Sequence, residues 1–572
     1  MGSPQPTSTS ETARTAPLDG RRPNRLGTLT VVLAVLVFSF AGCSTDRADW
    51  RARESQQLFA KWDTARSPGC AVAVLRNDSI LFQGGYGSAE LKSRRSIGDA
   101  TAFGLASMSK QFTAAAVGML VLDGKLSLND DVRKHIPELP SYGHPLLLRD
   151  LIYHTSGLRD YISLTEDLSD YATSGQPSGD RGTLALLARQ KALNFQPGTQ
   201  FSYSNSNYFL LSIVVKRATG VSLGQFAHDR IFRPLGMKNT FFRDNPPENP
   251  ADRAIAYETS EGQRFAEVKP SKSNGLVGDA GVVTTLSDLV LWDREFYRSS
   301  LGGRPLHDLL STRGKLRDGT SLTYAFGLYV EDSPAGPKIY HGGNGDGFRT
   351  RFVRYPNQHS SIICLCNLND VPTSQLVDRL TAIYFGQQQR PTTRMPSAKE
   401  LRRVEGFYRD SSTMGIWSFK ADGTRLVATL LGIPGERTLG AIESQEFATA
   451  DGSFNARFDA PAQAVEIREY GRPGTNFVRV QLSPPGNLGD YAGRYVSDEL
   501  GQTYEIAVVD GRLAVLSPKA AATKLSPTVT DSFTGFGNYF FFQRKDGAVT
   551  GLILGENTGR VRNLALNREL DK

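Results

Sequence analysis

The chain has 572 residues, of which 39% are hydrophobic and 22% are charged, and a formal net charge of +8. This length is too great for one compact core and predicts about two to four domains, while the composition excludes a largely disordered chain. The positive charge is not gathered into a basic block with interleaved aromatic residues, so we expect no nucleic-acid partner.

The first predicted element is an export signal in residues 1–43. Three arginines within residues 21–25 precede the apolar run 29–40, which is too short to span a bilayer and is followed by small residues. The run ends in Phe40-Ala41-Gly42-Cys43, which resembles a bacterial lipobox. We therefore expect a periplasmic or cell-envelope protein that a lipid on Cys43 anchors to a membrane. An ordinary cleaved signal or an uncleaved anchor is the alternative.

An α+β domain is predicted over residues 50–388. Residues 70–87 read as a β-hairpin, because two β-rich runs flank the turn residues Asn77-Asp78-Ser79. A helix is predicted from Ser109 to Asp123, with Gly124 as its C-cap. Helix and loop patterns dominate from about 130 to 300, and strand patterns return at 324–331, 337–341, 347–355 and 360–367. Strands at both ends with helices between them predict an antiparallel sheet flanked by helices.

Beyond a polar linker at 387–396 the pattern becomes all-β, with short alternating runs separated by glycine turns. Val404-Glu-Gly-Phe-Tyr408 matches Tyr491-Ala-Gly-Arg-Tyr495, and an Asp-Gly match follows at nearly the same offset, which indicates a duplication. We therefore predict two antiparallel β-barrel modules, at 397–486 and 487–572. One larger barrel to which each repeat contributes half is the alternative.

The cysteines predict neither a disulfide framework nor a metal centre. If Cys43 carries lipid, an odd number remains, namely Cys70, Cys364 and Cys366. Cys364 and Cys366 alternate in an apolar run and are predicted to pack on one face of a strand. No Cys/His spacing indicates a metal site, and we expect no cofactor.

The first chemical motif is Ser107-Met-Ser-Lys110, an S-x-x-K at the start of a predicted helix. Positions three apart share a helix face, so the Lys110 ammonium can reach the Ser107 hydroxyl. The free N–H groups and the dipole of a helix start favour a developing oxyanion. The motif predicts a nucleophile, although alone it also fits an exposed turn with a surface lysine.

Two further motifs follow after 96 and then 138 residues. Tyr203-Ser-Asn205 offers a phenol that a nearby lysine can activate as a base, and an amide that can orient a substrate. His341-Gly-Gly343 ends a predicted strand, where glycines let a substrate backbone lie along the strand edge and an edge N–H can complete an oxyanion hole. A second Y-x-N, Tyr355-Pro-Asn357, is predicted to be a hairpin turn. The three motifs in this order are far more specific than any one alone.

With these motifs the chain resembles the superfamily of class C β-lactamases and penicillin-binding proteins, which includes D-Ala-D-Ala carboxypeptidases, D-aminopeptidases and esterases. The resemblance covers about residues 55–385. Tyr203-Ser-Asn205 replaces the S-D-N and His341-Gly-Gly343 the K-T-G of the β-lactamase pattern. Further resembling stretches are Phe103–Thr113, Gly124–Asn129, Leu148–Leu158, Pro197–Asn205, Pro234–Met237 and Ala280–Thr285.

The resemblance implies a serine hydrolase that works through an acyl-enzyme. Ser107 would attack a carbonyl carbon, and Lys110 would keep the serine and tyrosine protons mobile. Tyr203 would take the serine proton and pass it to the leaving group. The expected partner is a small-molecule or peptide substrate, and the oligomeric state stays open.

The resemblance also implies the contacts that hold the substrate. Asn205 would orient the substrate amide, and His341 and Gly343 would line the substrate along the strand. The backbone N–H groups of Ser107 and Asn344 would form the oxyanion hole.

Position 341 departs from the β-lactamase pattern. A lysine there would hold a penicillin or peptide carboxylate with a fixed charge, whereas histidine carries little charge near pH 7. This favours an enzyme that acts on D-amino-acid peptides, small amides or esters, and the β-modules resemble the paired barrels of D-aminopeptidase-like members, in which a barrel loop can reach the cleft. The alternatives are a β-lactamase or D-Ala-D-Ala carboxypeptidase, and a non-catalytic envelope protein that binds peptidoglycan peptides.

Four other residues could suggest chemistry but are predicted to be structural. His154 is expected to tie down the loop after a helix. Ser222 lies in a G-x-S-x-G whose preceding segment is helical rather than a strand, so it is expected to cap the next helix. Asp279 and Asp346 are expected to be solvated loop residues.

Overall fold

The computed structural model describes residues 2, 50–167, 179–248, 252–260, 262, 264–269, 271, 275–333, 336–386, 393–450, 452–469, 474–517 and 521–569. The chain divides into two units, Met1–Glu54 and Ser55–Lys572. Apart from residue 2, the predicted signal at 1–43 lies outside the described residues. Within the described ranges, no helix has both the length and the apolar character needed to cross a bilayer.

Strands from both ends of the α+β region build its sheet. The strands are β1 (Cys70–Arg76), β2 (Ser79–Tyr86), β3 (Ser88–Glu90), β4 (Arg95–Ser96), β5 (Ala102–Gly104), β6 (Phe241–Phe242), β7 (Tyr257–Ser260), β8 (Arg264–Glu267), β9 (Val282–Thr285), β10 (Tyr329–Ser333), β11 (Gly336–Gly345), β12 (Phe348–Tyr355) and β13 (Ser360–Cys366). Six of them form one antiparallel sheet in the order β10-β11-β12-β13-β1-β2. The pairing of β13 with β1 joins the two ends of the region, as the sequence predicts.

The helices of this region include α1 (Lys110–Leu122), α2 (Leu148–Ile152), α3 (Gly179–Ala188), α4 (Asn205–Thr219), α5 (Leu223–Ala227), α6 (Arg233–Leu235), α7 (Leu286–Arg298), α8 (Gly303–Ser311) and α9 (Thr373–Phe385). Helices α7 and α9 pack against strands of the sheet. Helix α1 is buried from Lys110 to Leu120, and after Lys110 and Gln111 the side chains of this stretch are apolar or small. The predicted start and end of this helix are each within one residue of the observed ones. Helix α4 ends where Gly220 takes a left-handed φ of 78°, a conformation that glycine adopts without strain.

The hairpin and the turn predictions are confirmed. Asn77 and Asp78 connect β1 to β2 with φ values of 50° and 62°, which short polar residues tolerate. Tyr355 ends β12, and a short 3₁₀ turn, Pro356–Gln358, leads to β13, so the second Y-x-N is a turn. The apolar run 324–330 is core, but its strand begins only at Tyr329.

The prediction for the cysteines is wrong in one respect. Cys70 and Cys366 are directly opposite in the β1–β13 pair and form a disulfide bond. Two distant segments of sequence bring them together, so spacing along the chain carries no signal for the pairing. Cys364 is a free buried thiol, as expected for a packing residue.

The first C-terminal module is a closed antiparallel barrel. It follows helix α10 (Ala398–Val404), and its strands are β14 (Gly406–Arg409), β15 (Ile416–Asp422), β16 (Arg425–Leu430), β17 (Arg437–Ala441), β18 (Glu446–Ala448), β19 (Phe454–Phe458), β20 (Ala464–Glu469) and β21 (Thr475–Val480). Pairing of β14 with β21 closes the ring and leaves no free edge. Apolar side chains, among them Trp417 and Phe419, fill its interior.

The second module is a separate nine-stranded sheet. Its strands are β22 (Gly493–Ser497), β23 (Gln502–Val509), β24 (Arg512–Leu516), β25 (Thr523–Lys524), β26 (Ser526–Pro527), β27 (Ser532–Gly535), β28 (Asn538–Lys545), β29 (Ala548–Glu556) and β30 (Leu564–Arg568). Its two end strands, β25 and β26, are separated by one residue of chain, so the two ends of the sheet lie close together. Because the two sheets are distinct, the alternative of one shared barrel is wrong. Of the two predicted barrels, the first is closed, whereas the second module is a sheet with two end strands. The domain boundaries 50–388, 397–486 and 487–572 stay predictions.

The duplication is visible in matching contacts of the two modules. Tyr408 donates its hydroxyl hydrogen to the Val404 carbonyl at 3.0 Å, and Tyr495 donates to the Tyr491 carbonyl at 2.8 Å. In both cases the acceptor lies four residues earlier. The same local structure therefore recurs where the sequence repeats.

A buried ion pair fastens the second module to the α+β region. Arg159 Nη1 lies 2.7 Å from the Glu499 carboxylate and donates to Gln190 at 2.9 Å. The Arg159 side chain is 0% exposed and that of Glu499 8%. Arg159 also donates to the carbonyl groups of Arg562 and Asn563, at 3.2 and 3.1 Å.

Replacing Glu499 by alanine should destabilise the protein strongly. The change leaves the buried Arg159 charge without its carboxylate, which typically costs about 3–5 kcal/mol. The measurement is the shift of the thermal unfolding midpoint. The neighbouring Asp498→Ala is the matched control, because its pair with Lys191 is exposed and contributes about 1 kcal/mol or less. Equal shifts for the two variants would contradict the prediction.

Candidate active site

Ser107 lines a cleft and lies in a 3₁₀ turn (Ala106–Ser109) that leads directly into α1. Ala106 takes a φ of 47°, in the left-handed region, a strain of about 1–3 kcal/mol that persists only where the surrounding structure fixes it. Ser109, in the same turn, instead accepts a hydrogen bond from the Val282 N–H at 3.0 Å. Of the two serines in the motif, Ser107 is the one that lines the cleft.

Lys110 connects three segments around the cleft through hydrogen bonds of its ammonium group. Its Nζ donates to Ser107 Oγ at 3.1 Å, to Asn205 Oδ1 at 2.9 Å and to the Asp279 carbonyl at 2.7 Å. The side chain is 0% exposed. Burial lowers the pKa of Lys110 to about 8, against the opposing effect of the Asp279 and Asp160 carboxylates. An amine with this pKa can exchange protons near neutral pH.

Tyr203 lies beside this lysine, just before α4. The Lys110 Nζ is 4.8 Å from the centre of the Tyr203 ring. Burial raises the pKa of the Tyr203 phenol above its ordinary range, although the Ser107 hydroxyl and the Arg560 guanidinium lower it. The phenol therefore keeps its proton at neutral pH.

Asn205 makes more hydrogen bonds within the protein than the sequence suggests. Its Oδ1 accepts from Lys110, and its Nδ2 donates to Asp160 Oδ2 at 2.9 Å. Asp160 Oδ2 also accepts from the Asn205 backbone N–H at 2.5 Å. Only one Asn205 N–H is left to meet a substrate amide.

Two aspartates near the site differ from expectation: Asp160 was not predicted from the sequence, and Asp279 was predicted in the wrong environment. Asp279 was expected to be solvated, but it is 2% exposed and its carboxylate accepts from the Tyr161 hydroxyl at 3.1 Å. Asp346 forms an ion pair with Arg243 at 3.2 Å, so it too is not simply solvated. A signal for Asp160 existed, since it follows the Leu148–Leu158 stretch that carries the family resemblance.

Strand β11 forms the other wall of the cleft. Strand β10 pairs with it only as far as Tyr340, so residues 341–345 are an open sheet edge. His341 lines the cleft, with Nδ1 2.6 Å from the Gly342 carbonyl and Nε2 3.3 Å from the Tyr324 hydroxyl. A Cβ on Gly343 would lie 2.1 Å from the Leu105 carbonyl, so glycine lets this strand approach the Ser107 turn. The oxyanion role of the Ser107 and Asn344 N–H groups stays a prediction.

The second module contributes a residue to the cleft. Arg560, in the loop between β29 and β30, lines the cavity, and its guanidinium is 5.9 Å from the centre of the Tyr203 ring. The Arg560 carbonyl accepts from the Asp160 N–H at 3.1 Å and from Asn194 Nδ2 at 2.9 Å. A chain of hydrogen bonds therefore runs from this loop through Asp160 and Asn205 to Lys110.

The cleft has a volume of about 620 Å³ and a basic lining. Five arginines and two aspartates contribute to it, in addition to the motif residues: Arg243, Arg253, Arg349, Arg351, Arg560, Asp279 and Asp346. The two acids are engaged as described above. The electrostatic character of the cleft therefore favours anionic ligands.

The predictions that His154 and Ser222 have structural roles are confirmed. His154 is 0% exposed, and its Nδ1 lies 3.2 Å from the Ser204 N–H and 3.0 Å from Asn207 Nδ2, so it fixes the segment that carries Tyr203. Ser222 caps α5 by accepting from the Gln225 N–H at 3.1 Å.

Among the described residues, the one group of three or more metal-binding side chains close enough to share an ion consists of Cys70, Cys364 and Cys366. Two of these three form the disulfide bond, and their sulfur atoms are thereby engaged. The residues of this group do not fit a metal centre.

Comparison with known proteins gives a family match and relatives that agree with one another. A family model described as Beta-lactamase matches residues 55–385. The D-aminopeptidase of Gluconobacter oxydans (strain 621H) is 27% identical over 526 residues, which cover 85% of this chain and 94% of that protein. Penicillin-binding protein 4* of Bacillus subtilis (strain 168) is 27% identical over 352 residues, or 59% of this chain and 77% of that protein.

A solved structure supports the same fold. The octameric penicillin-binding protein homologue from Pyrococcus abyssi matches with a TM-score of 0.54 at 20% identity. The match covers 76% of this chain and 99% of that one. At this identity the likeness concerns the fold alone.

Proposed function

The chain belongs to the Beta-lactamase family, and from that premise we propose a serine hydrolase that acts through an acyl-enzyme on D-amino-acid-containing peptides, small amides or esters. The observation that carries the proposal is the buried Lys110 amine, 3.1 Å from Ser107 Oγ in an open cleft. The D-aminopeptidase of Gluconobacter oxydans, which aligns along most of both chains, supports D-amino-acid substrates.

Acylation begins with the Ser107 hydroxyl. Its Oγ forms a bond to the substrate carbonyl carbon while its proton passes to the free amine of Lys110, and the N–H groups of Ser107 and Asn344 hold the oxyanion. As the bond to the leaving group breaks, the Tyr203 phenol protonates that group, and the Lys110 ammonium then returns a proton to Tyr203. These steps give the serine proton to Lys110 rather than to Tyr203, to which the family resemblance assigned it. Lys110 Nζ lies 3.1 Å from Ser107 Oγ and its pKa is lowered, whereas the pKa of Tyr203 is raised.

Deacylation uses water as the second nucleophile. Water gives a proton to the Lys110 amine and attacks the acyl carbon. The bond from the acyl carbon to Ser107 Oγ then breaks, and the Lys110 ammonium restores the serine proton. The acid product leaves, and every proton is back in place.

A comparison of stereoisomers tests the substrate class. We expect the purified protein to release alanine from D-alanyl-D-alanine with a kcat/KM at least about tenfold higher than from L-alanyl-L-alanine, since a chiral pocket discriminates by a few kcal/mol. The measurement is the initial rate of alanine release for each dipeptide. A preference for the L-dipeptide would contradict the proposed preference for D-amino-acid substrates, and hydrolysis of neither dipeptide would restrict the proposal to small amides and esters.

We further propose that the protein is exported and held at a membrane by a lipid on Cys43. The charged and apolar segment before Cys43 supports export, and the Cys70–Cys366 disulfide fits an oxidising compartment. Cells that express the full chain and are fed radiolabelled palmitate should label the wild type and Cys364→Ser but not Cys43→Ser. Label in Cys43→Ser, or none in the wild type, contradicts the anchor.

A further inference from the structure

Asp160 is a buried acid that the proposed reaction does not use. Its side chain is 0% exposed, and both carboxylate oxygens accept hydrogen bonds from N–H groups. Oδ1 accepts from the backbone of Ile162 at 3.0 Å and of Ser163 at 3.2 Å. Oδ2 accepts from the Asn205 backbone at 2.5 Å and from Asn205 Nδ2 at 2.9 Å. Four donors around one carboxylate stabilise its charged form, because an ionised carboxylate only accepts.

The Asp160 carboxylate decides which end of the Asn205 amide faces Lys110. An amide nitrogen can donate but cannot accept, so Asp160 draws Nδ2 to its own side. The amide oxygen is thereby turned to Lys110, whose Nζ donates to it at 2.9 Å and to Ser107 Oγ at 3.1 Å. With the amide reversed, two donors would face each other. The position of the amine beside Ser107 therefore depends on Asp160.

The charges around Lys110 act in opposite directions. Burial lowers the pKa of Lys110 to about 8, the Asp279 and Asp160 carboxylates raise it, and the Arg560 guanidinium lowers it further. Burial raises the pKa of Asp279 itself, so Asp160 is the acid whose charge the surrounding N–H groups secure. The other titratable groups that face the amine are the phenols of Tyr203, Tyr208 and Tyr329.

One loop of the second module reaches both Asp160 and the amine. The Arg560 carbonyl accepts from the Asp160 N–H at 3.1 Å. The Arg560 guanidinium is 5.9 Å from the centre of the Tyr203 ring, and that ring is 4.8 Å from Lys110 Nζ. The opposing positive charge is therefore supplied together with a backbone contact that holds Asp160.

We propose that Asp160 is a positioning residue for Lys110: its carboxylate orients Asn205 so that the amine is held beside Ser107, and its charge stabilises the protonated amine against the opposing charge of Arg560. This inference rests on the proposed function, in which Lys110 takes the serine proton. As Ser107 Oγ bonds to the carbonyl carbon, its proton moves to the amine, and Asp160 stabilises the ammonium that forms.

The test is the pH dependence of acylation, measured as the burst of p-nitrophenolate from p-nitrophenyl acetate. In Asp160→Asn the ammonium loses a stabilising negative charge, so the pKa of Lys110 falls and the pH at which the rate levels off should move down by about one unit. The plateau should fall about tenfold or more, because the amide is no longer oriented and the base is weaker. Asp160→Glu keeps the charge and should keep the inflection of the wild type.

Two further variants make the sign of the effect specific. Arg560→Met removes the opposing charge and should move the inflection to higher pH. Asp346→Asn neutralises another acid of the same cleft, one that pairs with Arg243, and should leave the inflection in place. A lower plateau with an unmoved inflection in Asp160→Asn would show a purely structural role and overturn the inference. If the Asp160 variants do not fold, an inflection that fails to rise in Arg560→Met overturns it.

A titration without turnover separates this inference from the proposed function. In protein labelled with ¹³C at the lysine Cε, the Lys110 signal is the one missing from Lys110→Met, and its chemical shift follows protonation of the amine. The pKa should be about 8 in the wild type, lower in Asp160→Asn and higher in Arg560→Met. These shifts in a protein that hydrolyses neither esters nor peptides overturn the proposed function alone. An active enzyme in which neither variant changes the Lys110 pKa overturns the inference alone.

Discussion

Ser107→Ala should abolish hydrolysis and covalent labelling together. The hydroxyl that attacks the carbonyl is lost while the Lys110 contacts to Asn205 and Asp279 remain, so the fold is kept. We expect kcat/KM for an ester such as p-nitrophenyl acetate to fall at least about 10⁴-fold. In intact-mass analysis, a fluorophosphonate should add once to the wild type and not to the variant.

The matched control for this prediction is Ser109→Ala. Ser109 belongs to the same turn, but its hydroxyl accepts from the Val282 N–H rather than facing the cleft. Ser109→Ala should therefore still take one fluorophosphonate group. An adduct that persists in Ser107→Ala, or a folded wild-type protein that takes none, would remove the basis for an acyl-enzyme and favour an envelope-binding role.

Lys110→Met should reduce the rate of acylation by about 10²- to 10⁴-fold, the usual contribution of a positioned acid or base. Methionine fills much of the same buried space but cannot accept the serine proton, and it leaves Asn205 Oδ1 and the Asp279 carbonyl without their donor. The measurement is the pre-steady-state burst of p-nitrophenolate with substrate in excess over enzyme. Lys125→Met, exposed just beyond the end of the same helix, is the matched control and should keep the wild-type burst.

The same group sets the expected pH dependence. Burial lowers the pKa of Lys110 to about 8, and the amine accepts a proton only in its neutral form. The acylation rate of the wild type should therefore rise with pH, about tenfold per unit below pH 8, and level off above it. A rate that is flat from about pH 6 to 9, or that falls as the pH rises, would show that Lys110 is not the accepting base.

The C-terminal modules are part of the active-site structure. The carbonyl of Arg560 binds Asp160, Asp160 binds Asn205, and Asn205 binds Lys110, so one loop of the second module supports the lysine. The buried pair of Arg159 with Glu499 fixes that module against the same segment. Loosening the second module should therefore disturb the position of Lys110.

The sequence by itself determined the local features of this protein. The spacing of hydrophobic residues and the turn residues identified the hairpin, helices α1 and α4 and the β-rich C-terminal part. Such patterns can be read from sequence because they depend on residues that are neighbours along the chain. The S-x-x-K, Y-x-N and His-Gly-Gly motifs singled out Ser107, Tyr203 and His341, which line one cleft, and Lys110, whose amine lies beside Ser107. The repeat of Tyr408 and Tyr495 likewise showed the duplication.

Only the tertiary structure decided how distant segments meet. The Cys70–Cys366 bond depends on pairing between β1 and β13, and the contacts of Asp160 and Asp279 depend on loops that fold over α1. Arg351 and Arg560 reach the cleft because a glycine leaves a gap in β11 and because a loop of the second module docks beside Asp160. Such contacts follow from strand register and from packing between segments hundreds of residues apart, and neither leaves a periodic signal in the sequence.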